Sequence, residues 1–182
     1  MTASKINVTD MAYIALMSVI MAVCSWISIP TVVPFTLQTF GVFLAVAVLG
    51  GKRGTIAVLV YILLGAVGIP VFAGFSGGAG VLLGNTGGYI LGFLLAALIM
   101  WVFEMLPGKK TAVLAASMVA GLLGCYAFGT AWFMVVYGQN MGGAGLLTVL
   151  GWCVFPFIIP DIIKIALALV ISKRVKSAVR ID

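Results

Sequence analysis

From Met11 to Ile29 the chain carries no charged side chain, and comparable apolar runs recur along its 182 residues, separated by short basic clusters and glycine-rich connections. Runs near or above about 20 apolar residues suffice for a helix to cross the hydrocarbon layer. In that layer every backbone N–H and C=O must be paired within the protein, which leaves helices or closed barrels, and run lengths of this size select helices. Hydrophobic side chains make up 64% of the sequence and charged ones 8%, where a soluble domain would have about a quarter charged. The sequence therefore predicts an all-α integral membrane protein, a single domain over 1–182 with six transmembrane helices at about 11–29, 37–50, 54–70, 84–106, 111–137 and 147–172.

Residues 1–10 are polar and no small-residue cleavage site follows the first run, so 11–29 reads as an uncleaved span capped by Thr9 or Asp10, not as a signal peptide. With six spans, Lys5, Lys52, Arg53, Lys109, Lys110, Lys173, Arg174, Lys176 and Arg180 all fall on one side, and the opposite connections contain no Lys or Arg. The positive-inside rule then places both termini in the cytoplasm. The formal charge of +6 is thus a record of topology, and no nucleic-acid surface is implied. Cys24, Cys125 and Cys153 lie within apolar runs and read as small buried hydrophobes, forming neither a disulfide framework nor a metal site.

Small residues draw stripes on three spans, the feature that lets membrane helices approach closely. Ala15, Ser18, Ala22 and Ser25 share a face of the first span, where two readings stand: packing against a helix of the same chain, or docking to a separate membrane subunit. Gly84, Gly88, Gly92 and Ala96 mark the fourth, and Ala112, Ala116, Ala120 and Gly124 the fifth. Between spans, the stretch 29–40 has two prolines followed by Thr36, Gln38 and Thr39, consistent with either a loop re-entering toward the membrane or a surface connection. Seven glycines between Pro70 and Tyr89 rule out an ordinary helix interior there.

The last span holds the chemistry. Asp161 and Lys164 stand three apart, on one helix face, with no other charge from Trp152 to Ile171. An ionisable residue at membrane depth marks a functional site by default; the bland reading is a buried ion pair that neutralises itself. Pro156 and Pro160 are expected to bend or break the helix above the pair and open room beside it. A carboxylate accepts N–H bonds and an ammonium meets a carboxylate or carbonyl, so the pair suits a small polar ligand. Gly74-Phe75-Ser76-Gly77-Gly78 matches the nucleophile-elbow pattern, but the chain has no histidine to activate the serine. A Walker A sequence is absent, so ATP hydrolysis by that machinery is excluded, and the donor set for a catalytic metal is lacking. What remains is a membrane protein that takes up a small molecule, or an autonomous ion-coupled carrier with Asp161 as coupling site.

Three stretches in order resemble one family: Pro34-Phe35-Thr36-Leu37-Gln38-Thr39-Phe40; Gly68-Ile69-Pro70-Val71-Phe72-Ala73-Gly74-Phe75 continuing to Gly84-Asn85-Thr86-Gly87-Gly88-Tyr89; and Pro160-Asp161-Ile162-Ile163-Lys164. Together they resemble the BioY family, the biotin-specific substrate-binding subunits of energy-coupling-factor (ECF) transporters of prokaryotic cell membranes. The resemblance implies a six-helix subunit that is not an enzyme, needs no cofactor, and binds biotin near its outer face. It implies partnership with a transmembrane coupling protein and two ATPase subunits, which alone use ATP. By the same resemblance, Asp161 and Asn85 hold the ureido ring, Lys164 meets the carboxylate or the ureido carbonyl, and Phe35, Phe75 and Tyr89 pack the thioether ring. Gln38 and Thr36 complete a lid, Gly80 belongs to the binding set, and Ala15, Ser18 and Ala22 lie where the coupling protein docks.

Overall fold

The computed structural model describes residues 7–106 and 111–178; Lys5, Lys109, Lys110 and Arg180, used in the topology count, lie outside the described residues. Helix α1 (Val8–Trp26) leads into a two-stranded hairpin, β1 (Ser28–Ile29) and β2 (Phe35–Thr36), and then into α2 (Gln38–Leu49) and α3 (Gly51–Ala66). A single 3-10 turn (Ala73–Phe75) and the short α4 (Ala79–Leu83) precede α5 (Gly87–Glu104) and α6 (Thr111–Met141), and α7 (Leu146–Cys153) and α8 (Phe155–Ala178) close the chain. Among the described residues, four stretches are long and apolar enough to cross a membrane: α1, α5, α6 through Gln139, and Leu146–Ser177, which joins α7 to α8. Helices α2 and α3, at 12 and 16 residues, are shorter.

The cap of α1 differs from expectation. Asn7 takes the position: its side chain accepts from the Asp10 N–H at 2.8 Å while Asp10 accepts from the Asn7 N–H at 3.1 Å, a reciprocal box that pairs two otherwise orphan donors. Asp10 is thereby aimed at Arg53, 2.9 Å away at the start of α3. Glu104, at the end of α5, accepts a hydrogen bond from the Gly51 N–H. These two contacts gather the start of α1, the start of α3 and the end of α5 at one end of the bundle, together with the described basic residues Lys52 and Arg53. The hairpin and the 67–86 connection therefore lie at the other end.

The stripe on α1 is internal. Ser18 shares its hydroxyl between the Ile14 and Ala57 carbonyls at 2.9 Å each, so it is tied to α3, and both Ser18 and Ala22 are buried. This corrects the expectation that Ser18 and Ala22 meet a partner protein, because both side chains are buried within the chain's own fold, Ser18 against the third helix; Ala15 alone of the three is exposed. Ser25 likewise turns inward, to the Ala22 and Val71 carbonyls at 2.7 and 2.5 Å.

Helices α5 and α6 form the most extensive pairing in the bundle. Gly88 lies against Trp132 and Gly92 against Cys125, as the stripe on α5 requires. Gly84 does not belong to that stripe: it sits in the turn before α5, where its carbonyl accepts from Trp132 Nε1 at 3.0 Å. On α6 the contact face is offset from the expected one. Gly121 packs on Ala96, Cys125 on Gly92 and Gly129 on the Tyr89 ring, whereas Ala112 and Ala116 are exposed. Gly129→Ala would push a methyl into the Tyr89 ring. Overpacking of this kind costs about 1–3 kcal/mol, and a lowered melting temperature in detergent is the expected result.

The last span breaks at Val154 (φ −126°, ψ −57°), between α7 and α8, so Pro156 falls in the first turn of α8, where a missing N–H costs nothing. Pro160 does not break the helix as expected; α8 runs through it. Its ring removes one donor and leaves the Pro156 carbonyl without its helical partner one turn earlier.

Candidate functional site

Asp161 directly follows Pro160 and Lys164 comes one turn later, on the face of α8 that packs against α2. They are 2% and 4% exposed, and Lys164 Nζ lies 2.7 Å from Asp161 Oδ1. Burying a charge in apolar surroundings is costly unless it is paired and its remaining hydrogen-bonding capacity is used. Here that requirement is met by two residues far away in sequence. Thr39, in the first turn of α2, donates to Asp161 Oδ1 at 3.0 Å and accepts from Lys164 Nζ at 3.1 Å. Tyr126, on α6, donates to Asp161 Oδ2 at 2.5 Å. The ammonium also stands 4.6 Å from the centroid of the Phe35 ring, a favourable cation–π position, and Phe35 is in turn stacked on Phe157 at 5.7 Å.

Above the pair is a cavity of about 120 Å³ bounded by the hairpin end of the first connection, the 72–76 turn, and helices α2, α5, α6, α7 and α8. Its lining includes Thr36, Gln38, Thr39, Thr86, Tyr89, Tyr126, Asp161 and Lys164 among apolar side chains such as Phe72, Ile90, Phe93 and Phe157. Lys164 is the sole basic residue among the described residues that line it. The carboxylate has two oxygens and about four acceptor sites, and the ammonium three donors. The internal bonds occupy three acceptor positions and two donors, so each member retains capacity for a ligand.

Gln38 and Thr36 line the cavity, and they also hold each other. Gln38 N donates to Thr36 Oγ1 at 3.1 Å, and Thr36 Oγ1 donates to Gln38 Oε1 at 3.2 Å. Gln38 Nε2 donates to the Tyr61 hydroxyl, which passes its own hydrogen to the Val71 carbonyl at 3.0 Å. The Gln38 amide therefore fastens α2 to α3 and to the 67–86 connection, at the rim of the cavity. Tyr89 presents its ring there and anchors its hydroxyl on Thr130 Oγ1 at 3.0 Å.

Three expected residues sit elsewhere. Phe75 is 65% exposed and stacks on Trp26 with centroids 5.1 Å apart; its left-handed backbone, φ 55°, turns the side chain away from the cavity wall. Gly80 is exposed on α4 with open space around it. Asn85 occupies the turn before α5 and does not line the cavity, whereas its neighbour Thr86 does. Phe35 touches the site through Lys164 without lining the cavity. Ser76 lines the cavity, but its hydroxyl donates to the Ala73 carbonyl at 2.7 Å, which is a turn-closing bond. Thr39, Thr86 and Tyr126 were not singled out for the site from sequence. Thr39 had a signal, as a hydroxyl in the polar 36–39 stretch; Tyr126, within an apolar run, had none.

A family model described as the BioY family matches residues 1–181. The chain is 46% identical over 160 residues to the biotin transporter BioY of Thermotoga maritima, covering 86% of this chain and 89% of that protein. It is 46% identical over 144 residues to a probable biotin transporter BioY of Pyrococcus horikoshii, covering 79% and 81%. Among solved structures, it is similar to the S-component for biotin from an ECF-type ABC transporter, with a TM-score of 0.82 and 27% identity over 97% of this chain and 95% of that one. The match extends through the hairpin, the 67–86 connection and α8, the segments that build the cavity, and by sequence and by fold the chain belongs to the BioY family.

Proposed function

We propose that this chain is the biotin-capturing S-component of an ECF-type importer, a transport protein and not an enzyme. The observation that carries the reading is the buried Asp161–Lys164 pair at the floor of an otherwise largely apolar cavity, in a chain so similar to biotin transporters. Biotin is complementary to such a site: a ureido group offering N–H donors and a carbonyl, an apolar ring, and a carboxylate. Asp161 accepts a ureido N–H, Lys164 meets the carbonyl or the carboxylate, Tyr89 packs the ring system, and Thr39 and Tyr126 hold the pair in place. Thr36 and Gln38 set the rim. Asn85 and Gly80 reach ligand only by movement of the 67–86 connection.

In this reading six helical stretches cross the cell membrane, the four long ones and the shorter α2 and α3, with both termini in the cytoplasm and the cavity facing outward. The absence of Lys and Arg from the connections at the cavity end supports that orientation. A transmembrane coupling protein and two ATPases complete the importer; the chain itself holds no Walker A sequence, and ATP is consumed by its partners. The likeness to an ECF S-component supports this division of labour over an autonomous ion-coupled carrier. Because Ser18 and Ala22 are buried within the chain itself, docking falls to surfaces other than those two side chains.

Titrating biotin into the detergent-solubilised chain and following its four tryptophans is expected to give a saturable change. No binding at micromolar biotin, or equal binding of thiamine or riboflavin, contradicts the proposal. Tyr126→Phe removes one hydrogen bond to a charged acceptor, about 1.5 kcal/mol or more of stability, so a lowered melting temperature in detergent is expected, with the fold retained. Phe75→Ala, on the outer surface, is expected to bind as wild type in the same titration.

A further inference from the structure

A second cavity, of about 310 Å³, opens at the opposite end of the bundle and shares no lining residue with the first. Its walls come from the end of α2, the start of α3, the end of α5, the start of α6 and the end of α8. The deeper surface is mostly apolar, with Val46, Met100, Phe103 and Leu114. Two buried hydroxyls interrupt it: Ser117 donates to Leu114 O at 2.8 Å and Ser172 to Leu169 O at 3.2 Å. Each hydroxyl has spent its hydrogen on its own helix, so its oxygen is left as an acceptor.

The charge is at the rim. Lys173 and Lys176 line the cavity from the exposed last turns of α8, and neither has a carboxylate partner among the described residues. Glu104 also lines it, but that carboxylate accepts from the Gly51 N–H at the start of α3. We propose that this cavity seats the headgroup of one anionic phospholipid, with its phosphate on Lys173 and Lys176. Hydroxyls of a glycerol headgroup then donate to the Ser117 and Ser172 oxygens and to Glu104. A soluble anion would use the lysines alone, whereas a lipid also uses the exposed apolar faces of α6 and α8, two of the helices that wall the cavity. The flanking helices support the same occupant: Val119 and Leu123 on α6, and Leu167 and Val170 on α8, are exposed and supply the apolar surface along which acyl chains lie. Paired lysines at the ends of membrane helices are suited to anionic headgroups.

Native mass spectrometry of the full chain from mixed phosphatidylglycerol and phosphatidylcholine micelles tests the site. Wild type is expected to retain one phosphatidylglycerol in preference to phosphatidylcholine, and Lys173→Gln/Lys176→Gln to lose that preference at least tenfold. Biotin titration of the double variant, expected to be unchanged because the two cavities are separate, verifies that it is folded. Equal retention of the two lipids by wild type, or an undiminished preference in the double variant, overturns the proposal. So does a gain in melting temperature from sn-glycerol 3-phosphate that equals the gain from phosphatidylglycerol, since that result assigns the cavity to a soluble anion.

Discussion

Lys164→Ala is expected to lower the unfolding free energy by about 3–5 kcal/mol, the usual penalty for stranding one member of a buried ion pair. The variant leaves Asp161, 2% exposed, with only Thr39 and Tyr126 as donors. Biotin binding is expected to disappear at micromolar ligand in the same protein, because no other basic residue among the described residues lines the cavity. Stability and binding can be separated. Replacing both members with uncharged residues of similar size, Asp161→Asn/Lys164→Met, is expected to recover much of the lost stability, since neutral replacements of a buried pair are often well tolerated. It is not expected to recover binding. Melting curves in detergent check the first statement and titration the second; a Lys164→Ala protein as stable as wild type would show that the pair is not as closely buried as its geometry requires.

Asp161→Asn is expected to weaken biotin about 100-fold, from the loss of a charge-assisted hydrogen bond of about 2–3 kcal/mol. The asparagine side chain is of nearly the same size, so packing on Thr39 and Tyr126 is conserved while the acceptor changes character. Its amide oxygen can stay toward Lys164 and Thr39 while its N–H donates to the Tyr126 oxygen, which accepts as well as donates. What is lost is the charge on the acceptor, so the stability loss is expected to be smaller than that of Lys164→Ala. Biotin titration of the folded variant checks the affinity, and unchanged affinity would remove Asp161 from the ligand's contacts.

The pair itself was legible because two ionisable residues at helical spacing stand out in an apolar run. Its supports were not. Thr39 and Tyr126 lie 122 and 35 residues from Asp161 in sequence, and nothing local says that α2 and α6 deliver those hydroxyls to one carboxylate. A tyrosine in an apolar span reads as core until a buried acceptor is found opposite it. The α6 stripe holds only in part: Gly124 packs on Ile99 of α5, whereas Ala112 and Ala116 are exposed, and Gly121, Cys125 and Gly129 offer a second narrow face that only packing against α5 reveals. Phe75 stands apart from the cavity lining, and a loop residue's direction depends on its backbone, here left-handed, which sequence does not reveal. On α1, the small stripe was correctly seen as a close-approach surface, yet spacing cannot name the helix it approaches; the Ser18 bond to Ala57 does. Helices α1, α5 and α6 overlap the apolar runs expected there, whereas the last run is divided at Val154 and α2 and α3 are short helices joined by the turn at Gly50, φ 82°.

The most direct test is a structure of the chain determined with biotin bound. The account predicts the ligand in the cavity between the hairpin and α8, with one polar group of biotin within hydrogen-bonding distance of the Asp161 carboxylate and another within reach of Lys164 Nζ. Biotin bound elsewhere, or bound in that cavity with neither residue in contact, would contradict it.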